Sequence, residues 1–149
     1  MTDVKPEAVI FDVDGTLCDV RPIRHYVENG KRDFDAFHKA SAHCLPHEDV
    51  VDAACDADRE GKYVIVVTGR AEKFRRLTGM WLRYHDVLFD ELHMRPDGDF
   101  RKDVVIKKEI LDELRLRFEI VHAWDDNPAI IELWESEEIP MTVVPGWTG

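Results

Sequence analysis

The sequence predicts an α/β fold: a mostly parallel five-stranded sheet with helices on both faces. Two observations carry this. Short apolar runs rich in β-branched residues alternate with longer stretches whose apolar residues recur at helical spacing, the pattern of βαβ units. No internal repeat, low-complexity tract or linker interrupts the alternation, so residues 1–149 are expected to form one domain.

The first strand is expected at residues 8–11, Ala-Val-Ile-Phe, and ends abruptly at Asp12-Val13-Asp14-Gly15-Thr16. Residues 17–62 must first supply a helix over 48–60, where Val50, Val51, Ala54 and Ala57 share one face. What remains of that segment is fit for one short helix at Phe-Asp-Ala-Phe-His-Lys-Ala, too little for an independent cap domain. An open site follows, one that admits a macromolecular end instead of enclosing a small metabolite. The second strand is placed at 63–67. A helix after Arg70 then carries Phe74, Leu77, Trp81 and Leu82 inward. A third strand is expected at 87–89. The next helix begins near Asp103 and buries Val105, Ile106, Ile110, Leu114 and Phe118. The fourth strand falls at 120–124. Pro128 suits the first turn of a last helix holding Ile130, Ile131 and Trp134, and the fifth strand lies at 141–144.

Composition removes several functions. At 44% hydrophobic and 34% charged residues the chain has an ordinary globular balance. No apolar stretch approaches the ~20 residues that span a bilayer, and the first residues are polar, so no membrane and a cytoplasmic setting are expected. Cys18, Cys44 and Cys55 form no Cys-x-x-Cys and read as reduced thiols. A net charge of −11 argues against non-specific wrapping of duplex nucleic acid, whose affinity comes from neutralising phosphates.

Ligands of open α/β sheets sit outside the carboxyl ends of the strands. Asp12 and Asp14 follow the first strand, Thr68-Gly69-Arg70 the second, Asp125-Asp126-Asn127 the fourth; Lys102 and Lys107 stand near a helix start. Two carboxylates beside a buried strand need an offsetting charge. Asp12 and Asp14 with Asp125 or Asp126 offer three or four oxygen donors, a set suited to Mg²⁺. Asp125, nearer the strand end, is expected to be the more direct ligand. Thr68 and the backbone N–H groups at Gly69 suit phosphoryl oxygens, and Lys107 supplies a second positive charge.

These segments, in this order, resemble the four motifs of the haloacid dehalogenase (HAD) superfamily of phosphohydrolases. The resemblance implies a Rossmann-like fold with a minimal cap or none. It also implies Mg²⁺-dependent phosphomonoester hydrolysis through an aspartyl-phosphate. On that carry-over Asp12 is the nucleophile. Asp14 is the general acid/base, with its backbone carbonyl on Mg²⁺; Thr68 and Lys107 complete the catalytic set. A narrower likeness joins Thr68-Gly69-Arg70 to Arg101-Lys102-Asp103 and Lys107, and resembles the 3′-phosphatase module of phage-type polynucleotide kinase/phosphatases. It implies a DNA or RNA 3′-phosphate as substrate, with Arg70, Arg101 and Asp103 at the active site. The sequence departs from that pattern at Asn127, where the family has Arg, and offers only Arg21 or Arg24 for the arginine after the first motif. No Gly-x-x-x-x-Gly-Lys-Ser/Thr exists, so no kinase activity is expected of this chain. A nucleoside monophosphate phosphatase and a catalytically silent phospho-ligand binder are the alternatives. The pattern carries no mark of oligomeric state.

Other groupings read as structural. His38, His43, Cys44 and His47 have no zinc-finger spacing, and Cys18 reads as packing. Trp81, Trp124 and Trp134 take core positions; Trp147 reads as a tail contact. Glu132, Glu135, Glu137 and Glu138 read as a solvated acidic face. Arg95, Arg101, Lys102, Lys107 and Lys108, with Arg70, Lys73, Arg75 and Arg76, form a local basic run that predicts salt-sensitive substrate binding.

Overall fold

The computed structural model describes residues 4–145, so Trp147 lies outside the described residues. Five strands form one all-parallel sheet in the order β3-β2-β1-β4-β5. They are β1 (Glu7–Phe11), β2 (Tyr63–Ala71), β3 (Glu91–Arg95), β4 (Glu119–Asp125) and β5 (Met141–Val143). Helices α1 (Phe34–Ala40), α2 (Glu48–Arg59), α3 (Arg75–Tyr84), α4 (Asp103–Arg115) and α5 (Pro128–Ser136) fill the connections.

The period of two along each strand decides the layers. Val9 and Phe11 of β1 with Val64 and Val66 of β2 face a core built from α2 and α3 through Val50, Ala54, Trp81 and Leu82. Ala8, Ile10, Ile65 and Val67 face the opposite core, closed by Leu111 and Leu114 of α4 and by Ile130 and Trp134 of α5. Each of the buried valine, leucine, isoleucine and phenylalanine side chains is worth about 1.5–3 kcal/mol relative to exposure. Both faces of β1 and β2 are therefore dry, which explains their continuous apolar runs.

Three expectations need correction. The third strand is Glu91–Arg95, not 87–89. Residues 87–89 are the apolar tail of a turn: Asp86 takes a positive φ of 60°, the Val87 N–H donates to the Leu82 carbonyl at 2.9 Å, and Leu88 is 53% exposed. β3 is an edge strand whose Leu92 and Met94 alternate with half-exposed polar residues, and that period was the better guide. β2 runs on through Thr68-Gly69-Arg70 to Ala71, where the segment had been placed after the strand. In α4, Val105 is exposed, and the buried face carries Ile106, Lys107, Leu111 and Leu114. A lysine on the inner face breaks the apolar periodicity by which that face was read.

Between β1 and α2 the chain makes 3-10 turns at Arg21–Tyr26 and Ser41–His43 around α1. Asp33 caps α1 by accepting from the Ala36 N–H at 3.1 Å. This minimal cap borders the carboxyl edge of the sheet.

Candidate active site

The first aspartate is aimed by the end of a ladder. Asp12 follows β1, and its N–H still donates to the Trp124 carbonyl of β4 at 3.2 Å. The chain then turns through Gly15 at φ +81°, where a Cβ would stand 2.1 Å from the Asp126 carboxylate. That missing methyl lets the loops after β1 and β4 meet. Thr16 Oγ1 donates to Asp126 Oδ1 at 3.1 Å and Asp12 Oδ2 at 3.4 Å.

Lys107, 3% exposed, reaches across from α4 to Asp12 Oδ1 at 3.0 Å and Asp125 Oδ2 at 2.9 Å. Burial alone would lower its pKa; the two carboxylates outweigh burial and hold it above the ordinary lysine value. Asp125 also accepts the N–H groups of Asp126 and Asn127 at 2.9 and 3.0 Å. Burial pushes Asp12 well above the usual carboxylate range against the pull of Lys107, with Asp125 and Asp126 adding to the rise. Burial and the Asp125 charge raise Asp126 to about 6. Oxygens of Asp12, Asp125 and Asp126 lie within 4.8 Å of one another. Three crowded hard donors with more negative charge than one lysine offsets fit a divalent cation. His38, His43, Cys44 and His47 form no such group among the described residues.

The Asp14 carboxylate is not in that cluster. It turns the other way, to Arg70 on β2, whose Nε and Nη2 donate to its two oxygens at 3.1 and 2.6 Å. Arg70 is 2% exposed and donates its Nη1 to Thr78 Oγ1 at 3.0 Å. Burial raises the Asp14 pKa, yet the charge and hydrogen bonds of Arg70 outweigh it and leave the carboxyl below its ordinary value. Burial thus leans Asp12 toward its protonated form, while Arg70 leans Asp14 toward its ionised form. Arg70 holds Asp14 and presents no free fork to an anion.

His38 of α1, which sequence reasoning set aside, lies with Nδ1 3.9 Å from Asp14 Oδ2, buried and without a hydrogen-bond partner at that nitrogen. Burial lowers it to about 4, so it is neutral near pH 7. Thr68 is buried beside the site and accepts the Arg70 N–H at 3.2 Å. At Gly69 an added Cβ would stand 2.5 Å from Asp103 Oδ1, so a larger residue would have to displace that carboxylate. Asp103 is held by Arg95, which also donates to the Gly69 carbonyl at 2.9 Å.

Asp12, Asp14, Thr68, Gly69, Arg70, Lys107 and Asp126 line one cleft of about 790 Å³ with Arg101 and Asp103 at its rim. Arg21 and Arg24 do not line it; Arg32 is the arginine that the segment after β1 brings there. Asn127 also lines it and caps α5, accepting the Ala129 N–H at 3.0 Å. Much of the expected basic run is ion-paired, although Arg76 and Lys102 are exposed with no ion pair among the described residues. Lys73 pairs with Asp35, Arg75 with Glu72, Arg101 with Asp99 and Glu109, and Lys108 with Asp112 and Glu137.

This fold and this site define a phosphatase of the HAD type. A model of the family described as the polynucleotide kinase PNKP phosphatase domain matches residues 6–145, and the chain belongs to that family. A chain in a structure of the Pnkp1/Rnl/Hen1 RNA repair complex is 29% identical with a TM-score of 0.81, covering 96% of this chain and 44% of that one. The class C acid phosphatase from Bacillus anthracis shares the fold, with a TM-score of 0.74 at 14% identity over 97% of this chain and 68% of that one. A bifunctional polynucleotide kinase/RNA ligase of Autographa californica nuclear polyhedrosis virus is 26% identical over 141 residues, 93% of this chain and 19% of that protein. The chain therefore spans under half of the repair-complex chain and about a fifth of the viral relative.

Proposed function

We propose that the protein is a Mg²⁺-dependent phosphomonoesterase that removes 3′-phosphates from nucleic-acid ends through an aspartyl-phosphate on Asp12. The observation that carries this reading is the match of the polynucleotide kinase phosphatase-domain family along residues 6–145. The repair-complex and viral relatives point to nucleic-acid ends as the substrate class.

Asp12, Asp125 and Asp126 would hold the metal with the Asp14 backbone carbonyl. Bound there, Mg²⁺ supplies positive charge that keeps Asp12 ionised and offsets charge on the phosphoryl oxygens. Lys107, already at Asp12 Oδ1, adds the second positive charge on that side. Thr68 and the Gly69 backbone receive phosphoryl oxygens. An Asp12 carboxylate oxygen attacks phosphorus while the bond to the leaving 3′-oxygen breaks, and that oxygen takes the Asp14 proton. Water then attacks the same phosphorus and gives its proton to Asp14; the bond to Asp12 breaks and inorganic phosphate leaves. Asp14 needs two protonation states in turn, and Arg70 and His38 set the balance between them.

The test is Mg²⁺-dependent phosphate release from a 3′-phosphorylated oligonucleotide, its 5′-phosphorylated twin, 3′- and 5′-mononucleotides and p-nitrophenyl phosphate. The expected preference is the 3′-phosphorylated strand. Asp12→Asn should abolish turnover, and Asp14→Asn should lower it by about 10²-fold or more. A preference for mononucleotides would keep the chemistry and move the function to nucleotide metabolism. Silence across the panel, with ligand retained, would leave a binding module.

A further inference from the structure

We infer that Phe34 and Phe100 form an aromatic clamp for the terminal nucleobase, so that the strand end is recognised by stacking and not by charge. This rests on the reading of the protein as a nucleic-acid-end phosphatase. Phe100 is 94% exposed, midway along the link between β3 and α4. A lone exposed phenylalanine is ordinary. This one stands on a loop held on both flanks. Arg95 donates to the carbonyls of Asp99, at 3.0 Å, and Arg101. Asp99 grips the Arg101 guanidinium at 2.8–3.2 Å, and Asp97 accepts the Lys73 N–H at 2.9 Å. The ring is therefore presented to solvent from a fixed base.

Phe34 begins α1 and is 51% exposed, whereas Phe37, one turn on, is 3% exposed and packs in the core. Both Phe34 and Phe100 line the cleft that holds Asp12, Asp14, Thr68 and Lys107. They come from separate elements, α1 and the β3–α4 link. The two exposed rings thus share one cleft with the reacting groups.

Charge offers little alternative grip. Arg70, Lys73, Arg95, Arg101 and Lys107 all line the cleft, and every one is ion-paired to a carboxylate of this chain. Among the described residues Arg32 is the lining cation with no ion pair. A cleft poor in free charge and rich in exposed π-faces suits a flat, sequence-tolerant ligand such as an unpaired base. A paired terminal base would not offer both faces, so single-stranded or frayed ends are the favoured class.

The test is steady-state kinetics on a 3′-phosphorylated tetranucleotide and on the same strand ending in an abasic 3′-phosphate. Base–aromatic stacking is worth enough that Phe100→Ala and Phe34→Ala should each raise KM on the intact strand about 5- to 100-fold, with kcat within about twofold. On the abasic strand both variants should match the wild type, and Phe100→Trp should keep the wild-type KM on the intact strand. Raising NaCl from 50 to 200 mM should change the wild-type KM less than about tenfold, below the loss of a protein with many phosphate contacts. Unchanged KM in both alanine variants, or equal losses on both strands, overturns the clamp alone. A wild type active on p-nitrophenyl phosphate but on neither strand overturns the parent reading and the clamp with it.

Discussion

Replacing Lys107 by methionine asks whether the buried lysine is the compensating charge of the site. Methionine keeps the unbranched stem, so the change removes charge with little change in volume. In the wild type Nζ lies 3.0 and 2.9 Å from two carboxylates at 3% exposure. At an effective dielectric of about 20, each contact is worth about 5–6 kcal/mol of gross attraction, most of it cancelled by desolvation. Removing one partner of such a pair costs about 3–5 kcal/mol, because buried negative charge is left without a partner. For a chain of this length that corresponds to a fall in Tm of roughly 6–20 °C near pH 7. The deficit depends on pH, and its sign follows from Asp12, whose folded pKa is already raised by burial. A raised carboxyl contributes stability below its unfolded pKa and loses it as pH climbs, by up to about 1.4 kcal/mol per pH unit for one proton. Urea unfolding followed through buried Trp81 and Trp134 should show a deficit smallest near pH 5 and largest near pH 8. Millimolar Mg²⁺ should recover part of it. A deficit under about 1 kcal/mol at pH 7, or one flat across that range, would refute the assignment.

Three further outcomes are expected. Gly15→Ala puts a Cβ 2.1 Å from the Asp126 carboxylate at φ +81°. It should cost about 1–3 kcal/mol in thermal melts and at least tenfold in phosphate release; wild-type values would mean that the loops meet differently. Arg70→Gln removes the group that holds Asp14 below its ordinary pKa, so the alkaline limb of kcat/KM should move to higher pH. An unmoved limb would separate Asp14 from the leaving-group proton. Glu91, bonded to Arg117 at 2.6 and 2.8 Å, is lowered from 4.5 to about 2, mainly by those hydrogen bonds. Its contribution, about 1 kcal/mol for a pair this exposed, is present above pH 4.5 and lost as pH falls to about 2. Stability curves of wild type and Glu91→Gln should converge across that window, and parallel curves would contradict the shift.

What was legible in the sequence was local. β1 ends at the two aspartates because a β-branched run meets a turn that only Gly15 can make, and α1 falls on Phe-Asp-Ala-Phe-His-Lys-Ala to the residue. The motif residues Asp12, Thr68, Lys107 and Asp126 line one cleft, whereas Asp125, expected as the more direct ligand, does not line it. β3 was misplaced because Val-Leu-Phe at 87–89 is more apolar than the true strand, while an edge strand needs only alternate apolar residues. The Asp14–Arg70 pair joins residues 56 apart, and no periodicity announces it. Its consequence, a carboxylate turned away from Asp12, was equally hidden. The pairing within the basic run was hidden for a related reason: a sequence shows cations in a row but not carboxylates that fold onto them, such as Asp35 on Lys73. Phe100 drew no reading from the sequence, since exposure on a pinned loop has no signature in composition.

The site is assembled from distant parts of the chain, and this orders its birth. Thr16 meets Asp126 across 110 residues, and Lys107 meets Asp12 across 95. Asp12 leaves the ribosome before β2 and β4, on a strand that must wait for both to flank it. Until β4 docks, Asp125 and Asp126 are elsewhere and no pocket for a phosphoryl group exists. Long-range parallel pairing of this kind is slow relative to local helix formation. Synthesis at about 5–20 residues per second leaves several seconds in which Asp12 is present without its partners from β4. Assembly of the site is therefore a readout of completion: a nascent or truncated chain lacking β4 has neither Asp125 nor Asp126 beside Asp12.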